Sequence, residues 1–350
     1  MTVYKDFFTL KHINIPVFVP HLGCPNDCVF CNQRRITGHE TFSIEDAKSA
    51  IDEVVFSSHT DISAEREIAF FGGSFTGIDR PLMIELLELA KDYYDKGLTS
   101  GIRLSTRPDY INSEIISILS KYPVKTVELG IQSLSDNVLS ASKRGHTALD
   151  SINAMHMVKE AGFDLIGQMM VGLPLSTAET ELDTLRGICK AGANGVRIYP
   201  TVVFHSTELH EMMLDGKYQP ISPTQASLRV AELLYLAHKE NIPVIRVGLC
   251  ESESLHSSDG IVAGAFHPAL GEICFSAFFL KLFCERIDTL GDLSGKHIEI
   301  SVAKNMLSKA IGQKRSNVSR LKEKYSLSEV IFVSRDNLEG YDFRISERIR

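Results

Sequence analysis

The stretch INIPVFVPHLGCPNDCVFC, residues 13–31, joins a strand-like segment to a loop that is rich in cysteine. Its first seven residues are mostly apolar, and Cys24, Cys28 and Cys31 follow with spacings of three and two residues. Three thiols are one short of a closed tetrahedral zinc site. They suit a [4Fe–4S] cluster, whose irons bind thiolates, with one iron left open for a substrate or cofactor.

Zinc and unligated thiols are the alternatives for this loop. A zinc ion would need a fourth ligand, which His21 or His39 offers. The chain has seven cysteines, and an odd number without an export signal argues against a disulfide framework. The others are scattered, which argues against a further cluster. Cys189, Cys274 and Cys284 are predicted to be small core residues, whereas Cys250 ends a strand-like run.

The composition is that of an ordinary globular chain, with 350 residues, 44% hydrophobic and 23% charged. No apolar run reaches the roughly 18 residues of a membrane span, and charged residues interrupt the apolar content of the first 20 residues, unlike a secretory signal. These features predict a cytoplasmic protein without a membrane partner. The net charge of −7 argues against a chain that binds polyanions along its whole surface.

Strand-like and helical patterns alternate along most of the chain, which predicts βα units and a parallel sheet. We expect an α/β fold, a partial (β/α) TIM-type barrel, with chemistry in the loops after the strands. The predicted strands are 13–19, 67–73, 101–106, 124–131, 163–172, 195–203 and 242–249. The predicted helices are 44–57, 80–95, 112–121, 148–162, 177–191 and 222–240.

A compact basic unit follows the last of these elements. Residues 295–325 hold eight Lys or Arg against two Glu, in a chain that is acidic elsewhere. Gly and Asp break the pattern near 288–296. We therefore predict two domains, 1–290 and 291–350, the second a small α+β unit.

The motif CPNDCVFC resembles the signature of the radical S-adenosylmethionine (SAM) enzymes, with Phe30 as the aromatic before the last cysteine. The resemblance covers residues 13 to about 275. It implies that Cys24, Cys28 and Cys31 bind a [4Fe–4S] cluster and that Phe30 packs near the adenine. It also implies cleavage of SAM by one electron to a 5′-deoxyadenosyl radical. The electron would come from a donor such as ferredoxin or flavodoxin.

Other loops have counterparts in the same family. FGGSFTG resembles its glycine-rich segment, which holds the methionine amino group, and glycine suits the close approach of ligand and backbone. GIQS and KRGHT resemble a pair in the branch of oxygen-independent coproporphyrinogen oxidase, where Gln132 would reach the ribose and Arg144 the methionine carboxylate. Ser105 and Gln168 stand where that branch has acidic residues. The implied SAM contacts are Phe30, Gly72, Gly73, Ser74, Phe75, Ser105, Gln132, Arg144 and Gln168.

STRPDYI, VELGIQSLSDNVL and IYPTVVFHSTELHEMMLDGKY resemble the radical half of the Elongator catalytic subunit, which modifies wobble uridine in transfer RNA. About 55 residues follow position 295, too few for that protein's acetyltransferase domain, so its whole reaction does not transfer. In GAFHPALGEICFS, His267 and Glu272 are weak candidates for acid–base catalysis. A turn that enters an apolar helix explains the same segment.

KAIGQKRSNVSRL resembles the loop of KH domains, where a GxxG turn between two helices clamps a nucleic-acid backbone. Gly312 matches the first glycine, and Arg315 replaces the second. A solvated basic helix pair and a helix-turn-helix DNA reader are the alternatives. The predicted RNA-binding residues are Lys309, Gly312, Lys314, Arg315, Arg320 and Lys322.

Together these features predict a radical SAM enzyme that modifies an RNA base, with transfer RNA as the favoured substrate. Two other functions fit the same sequence. One is a radical enzyme that acts on a small, porphyrin-like molecule, and the other is an RNA-associated iron–sulfur sensor without catalysis.

Overall fold

The computed structural model describes residues 12–19, 24, 28–31, 42–57, 65–249 and 260–348. Seven parallel strands form one curled sheet, in the order β1-β2-β3-β4-β5-β6-β8. This is the predicted partial TIM-type barrel. Its strands are β1 (His12–Val19), β2 (Glu65–Gly72), β3 (Gly101–Thr106), β4 (Val124–Gln132), β5 (Asp164–Val171), β6 (Gly195–Pro200) and β8 (Val244–Val247).

Helices follow the strands and cover the outer face of the sheet with apolar side chains. Four of them begin with a capping box, at Ser43, Thr147, Thr177 and Ser222, which satisfies backbone N–H groups of the first turn. The helices that precede the basic unit are α1 (Ile44–Val55), α2 (Arg80–Asp95), α3 (Ser113–Leu119), α4 (Asp136–Ala141), α5 (Ala148–Glu160), α6 (Ala178–Lys190), α7 (Glu208–Leu214), α8 (Pro223–Lys239) and α9 (Leu270–Asp288). No helix in the described part of the chain combines the length and apolarity needed to cross a membrane.

One predicted strand, 195–203, is divided in the structure. The main sheet keeps β6, and the chain then leaves the sheet at Thr201, whose N–H donates to the Val171 carbonyl at 2.8 Å. The next segment, β7 (Val202–Phe204), pairs antiparallel with β9 (Ile261–Gly264) in a separate two-stranded sheet. The prediction of a single strand was therefore wrong at this point, because β7 finds its partner far along the sequence.

A network of charged side chains crosses the inner face of the sheet. The Glu128 carboxylate, which is fully buried, accepts from Arg103 on β3 at 3.0 Å and from Arg197 on β6 at 2.8 and 3.0 Å. Glu67 on β2 accepts from Arg103 at 2.9 Å and contacts His12 at the same distance. Buried charges are tolerated only when they are paired in this way, so the network fixes the interior of the barrel.

The basic unit forms a small sheet with helices, as expected. Its elements are β10 (His297–Ala303), α10 (Leu307–Ile311), α11 (Ser316–Tyr325), β11 (Glu329–Arg335) and β12 (Phe343–Glu347). β10 lies in the centre, parallel to β11 and antiparallel to β12. The order strand, helix, loop, helix, strand agrees with the α+β unit, and with the turn between two helices, that the sequence predicts.

Aromatic side chains join this small sheet to α9. The Phe283 ring lies 5.0 Å from Phe343 and 5.5 Å from Phe332, and the Phe278 ring lies 5.1 Å from Tyr341. Barrel and small sheet share one continuous hydrophobic core. Burial of each large apolar side chain contributes about 1.5–3 kcal/mol, so several aromatic contacts fix the small sheet firmly on α9.

Candidate active site

The cysteine loop follows β1, at the end of the sheet where the carboxyl termini of all seven parallel strands lie. Val29, one of its described residues, makes two backbone hydrogen bonds to other segments: its N–H donates to the Ser142 carbonyl at 3.2 Å, and its carbonyl accepts from the Leu209 N–H at 2.8 Å. Val29 is buried with Val203 and Leu209, and Phe30 packs against this small apolar cluster. The cysteine loop is therefore held by two segments: the β7–α7 segment and the residue that follows α4.

Two of the three thiols contact polar side chains of other loops. Cys28 is buried, and its Sγ accepts from Nη1 of Arg144 at 3.5 Å. Cys24 Sγ lies 3.2 Å from Oγ of Ser74, just after β2. Cys31 is half-buried, and its N–H donates to the Cys28 carbonyl at 2.9 Å. The loop thus places the Cys28 thiol against the Arg144 guanidinium and the Cys24 thiol against the Ser74 hydroxyl.

Within the described residues, no three His, Cys, Asp or Glu side chains converge to hold one metal ion. An iron–sulfur cluster does not need that convergence, because each thiolate binds a different iron. The other candidate zinc ligands, His21 and His39, lie outside the described residues, as does Cys250. Burial raises the pKa of Cys274 to about 12 and that of Cys189 to about 11, so both thiols stay protonated. Cys284 is half-buried on α9.

The glycine segment after β2 needs glycine for its backbone. Gly72 has φ +109°, and a Cβ there would lie 2.3 Å from the Val19 carbonyl oxygen. The next N–H, of Gly73, donates to that same oxygen at 3.1 Å. Ser74 faces the cysteine loop, whereas the Phe75 ring is buried and stacks on Phe70 at 4.5 Å. Only the backbone of Phe75 is therefore available to a ligand.

Arg144 and Gln132, which the family resemblance assigns to SAM, lie together at the end of β4. Nη2 of Arg144 donates to the Gly130 carbonyl at 2.7 Å, and a Cβ on Gly130 would lie 2.8 Å from that nitrogen. Gln132 has φ +64°, which a non-glycine residue rarely adopts. Nε of Arg144 and Oε1 of Gln132 are buried and have no hydrogen-bond partner within the described residues. Buried polar groups are normally paired, so these atoms are suited to a polar ligand.

Ser105 and Gln168 lie on neighbouring sides of Glu128. Nε2 of Gln168 donates to Glu128 at 2.7 Å and lies 3.4 Å from Oγ of Ser105. Because the amide nitrogen is fixed on Glu128, the amide oxygen of Gln168 is left to accept a hydrogen bond. An acidic residue at this position would also accept, so the substitution keeps the acceptor and removes the charge.

Three residues that we did not predict, the buried Arg107 and His146 and the more exposed Asp109, adjoin this group. Nε and Nη2 of Arg107 donate to the Asp109 carboxylate, both at 2.9 Å, and Nη2 also donates to the Arg144 carbonyl at 2.6 Å. Nη1 of Arg107 is buried and has no partner in the described part of the chain. Burial alone lowers the pKa of Arg107, but Asp109 and the nearby Cys28 and Cys24 raise it overall. A permanent cation therefore lies beside the cysteine loop.

His146 completes this group, with Nδ1 3.9 Å from Oδ1 of Asp109 and a fully buried side chain. Burial, and then the charge of Arg144, lowers the pKa of His146 to about 4, so its ring is neutral at pH 7. The motifs STRPD and KRGHT contain all three residues. Their mutual contact depends on a fold that brings residues 37 positions apart together.

The weak acid–base candidates lie further along the same rim, at the start of α9. Nδ1 of the exposed His267 accepts from the Ala269 N–H at 3.0 Å. Glu272 is exposed on the first turn of α9, where Ser308 Oγ donates to it at 3.4 Å. Both contacts are local, and within the described residues neither side chain contacts Cys24, Cys28 or Cys31, so an acid–base role for either residue stays a prediction.

Comparison with known proteins agrees with this geometry. The model of the Radical SAM superfamily matches residues 18–188, and that of the Radical_SAM C-terminal domain matches residues 193–277. The chain belongs to the radical SAM superfamily. Radical SAM proteins are enzymes that use a [4Fe–4S] cluster and SAM, and the thiols, the arginine and the buried unpaired polar atoms described above fit both groups.

Two curated proteins match part of this radical SAM chain. Elongator complex protein 3 of Homo sapiens is 32% identical over 152 residues, 42% of this chain and 28% of its own length. The tRNA uridine(34) acetyltransferase of Methanocaldococcus jannaschii is 34% identical over 126 residues, 35% of this chain and 23% of its own length. The matched region is thus about a quarter of each relative.

A solved structure supports the fold. The archaeal Elp3 of Methanocaldococcus infernus, with an N-terminal deletion, superposes with a TM-score of 0.60 at 20% identity. The superposition covers 80% of this chain and 64% of that one. The radical SAM partial barrel is therefore the fold of this chain.

Proposed function

We propose that this radical SAM enzyme modifies a base of RNA, with transfer RNA as its substrate. One observation carries the proposal: a group of cations without ion pairs lies on the small sheet unit, and that unit packs on the helix that starts at the rim of the active site. The described residues of the unit include five exposed or half-buried cations that make no ion pair: Lys309, Lys314, Arg315, Arg320 and Lys322. Unpaired cations of this kind bind phosphate.

In this proposal Cys24, Cys28 and Cys31 would hold a [4Fe–4S] cluster through three of its irons. When bound, the cluster would supply the electron for cleavage of SAM. Arg144 is adjacent to Cys28 and has one unpaired buried nitrogen, which suits it to the methionine carboxylate. Gln132 has an unpaired buried oxygen that accepts from a ribose hydroxyl.

The remaining polar residues position these groups. Arg107 neutralises part of the negative charge that three thiolates bring to the loop. Asp109 fixes the guanidinium of Arg107 in one orientation through its two hydrogen bonds. Glu128 orients Gln168 as an acceptor, which suits the amino group of methionine or a ribose hydroxyl.

The relatives favour RNA over a small molecule. The M. jannaschii protein acts on uridine 34 of transfer RNA according to its name, and it is 34% identical in the matched segment. In the proposed reaction the strand binds to the basic unit, and one unstacked base enters the mouth of the barrel. A ferredoxin or flavodoxin is the proposed electron donor, and the cytoplasm the proposed location.

The test has two arms. Anaerobically reconstituted protein, reduced with dithionite, is expected to convert SAM into 5′-deoxyadenosine, and bulk transfer RNA is expected to stimulate this conversion. Mass spectrometry of the recovered RNA should then reveal a changed nucleoside. Absence of any SAM cleavage would favour the sensor, and cleavage that no RNA stimulates would favour a small-molecule substrate.

Charge reversal provides the control for the RNA arm. The double variant Lys314→Glu plus Arg315→Glu should lose stimulation by RNA while it retains basal SAM cleavage. The matched variant Lys125→Glu, with an exposed lysine at the opposite end of the barrel on β4, should behave as wild type. Equal stimulation in all three proteins would contradict the role of the basic unit.

A further inference from the structure

The basic loop of the small unit, residues 312–315, is fixed against the barrel. Gly312 has φ +76° and ψ 161°, and a Cβ there would lie 2.4 Å from Oγ of Ser276 on α9 and 2.5 Å from Oγ of Ser316. Nδ2 of the buried Asn317 donates to the Ser276 carbonyl at 2.8 Å and to the Ala310 carbonyl at 2.9 Å. The loop thus contacts one defined point of α9 and cannot move independently of it.

The same helix is also fixed to the mouth of the barrel. A Cβ on Gly271, in the first turn of α9, would lie 3.4 Å from the carbonyl oxygen of Val247, the last residue of β8. Gly271 and Val247 line a cleft together with His267 and Pro200, at the end of β6. Helix α9 therefore starts at the carboxyl ends of the strands, where the active site lies, and connects that rim to the basic loop.

Two side chains of α10 contact α9 between its first turn and Ser276. Ser308 contacts Glu272, and Nζ of Lys309 lies 4.7 Å from the centre of the Phe275 ring. A cation thus lies between the rim and the loop that carries the exposed Lys314 and Arg315. Glu272 is an exposed carboxylate that also lies between the rim and this loop.

The separation between loop and rim is short. Ser276 follows Gly271 by five positions, which is about 7.5 Å along a helix, and the helix itself is about 10 Å wide. One nucleotide of a stacked strand adds about 3.4 Å, and an extended strand adds more. A strand of about two to four nucleotides therefore bridges the basic loop and the mouth of the barrel.

We propose that the basic loop and the barrel mouth bind one continuous single strand of RNA, so that the backbone is held a few nucleotides from the base that enters the barrel. This inference rests on the proposed RNA substrate and narrows it to an unpaired segment, such as a hairpin loop. A KH-type clamp covers about four nucleotides, so a segment of about eight nucleotides occupies both sites. A four-nucleotide strand occupies only the loop.

The experiment compares fluorescein-labelled oligouridylates of 4 and 12 nucleotides, with the full chain reconstituted anaerobically and affinity measured by fluorescence anisotropy. Lys314→Glu should weaken both lengths by a similar factor, because both need the loop. Glu272→Lys should tighten the 12-mer about three- to tenfold and leave the 4-mer unchanged, because only the longer strand passes that position. A gain in affinity does not arise from misfolding.

The matched control is Glu53→Lys, the same charge change at an exposed site on α1, near β1 at the other edge of the sheet. It should change neither affinity. If Glu272→Lys affects both lengths equally, or neither, the continuous-strand geometry is wrong even though RNA binds. If wild type binds neither oligonucleotide, the RNA substrate itself is wrong, and SAM cleavage tests the radical half separately.

Discussion

Replacement of Arg315 by glycine should change stability and RNA binding in opposite directions. Arg315 has φ 59° and ψ 32°, and its neighbour Lys314 has φ 51° and ψ 31°. A non-glycine residue in this left-handed region is disfavoured by about 1–2 kcal/mol. Glycine removes that strain, although its greater freedom in the unfolded chain costs about 0.5–1 kcal/mol. The expected net effect is a stabilisation of about 0.5–1 kcal/mol.

Arg320→Gly provides the comparison, because it makes the same chemical change in the right-handed interior of α11. There glycine should destabilise by about 1 kcal/mol. The two variants should therefore differ by about 1.5–2 kcal/mol in the free energy of unfolding, with opposite signs relative to wild type. Because the chain has no tryptophan, urea unfolding is followed by far-ultraviolet circular dichroism.

Both variants lose one cation of the basic unit, so both should bind single-stranded RNA more weakly. The slope of log K against log salt should become shallower by about 0.7 in each case. Destabilisation by Arg315→Gly as large as that by Arg320→Gly would refute the argument from backbone strain. Unchanged RNA affinity and salt slope in Arg315→Gly would refute the role of its charge.

Three further predictions concern the barrel. Cys28→Ala should lose most of its iron and inorganic sulfide after anaerobic reconstitution, whereas Cys274→Ala should retain both, as metal analysis will determine. Glu128→Gln should destabilise by about 3 kcal/mol, because Arg103 and Arg197 lose a buried partner, whereas loss of an exposed pair costs under about 1 kcal/mol. Burial lowers the pKa of His146 from 6.5 in the unfolded chain to about 4 in the folded chain. The stability that its neutral ring contributes is therefore fully present above pH 6.5 and is lost as the pH falls toward 4. Between pH 7.5 and 5 wild type should lose about 2 kcal/mol more than His146→Gln in urea unfolding.

The sequence identifies the strands of the barrel because each is a short apolar run before an unusual loop, as 13–19 is before the cysteines. It cannot reveal that β6 ends at Pro200, because β7 separates only where β9, about sixty residues later, provides antiparallel partners. The role of Gly312 is hidden for a similar reason. The GxxG pattern relates this glycine to a phosphate, whereas its closest neighbour is Ser276 on α9.

Long-range pairing also explains why the interior charges were missed. Glu128 reads as one polar residue within the strand VELGI, and its partners Arg103 and Arg197 lie 25 and 69 positions away. Local sequence gives no sign that these charges meet. Arg107, Asp109 and His146 do stand in motifs, yet only the fold shows that the guanidinium is buried beside the thiols.

The polar interior is what distinguishes this barrel from one that is filled. Closed eight-stranded barrels pack their centre with layers of branched apolar side chains. Here the inner face carries a carboxylate with four donors, from Arg103, Arg197 and Gln168, so the charge of Glu128 is paired without a ligand. The unpaired atoms of Arg107, Gln132 and Arg144 lie instead toward the cysteine loop. The same sheet therefore combines an inner face whose charges are paired with one another and a rim where buried polar atoms have no partner within the described residues, an arrangement suited to a charged cofactor at the rim.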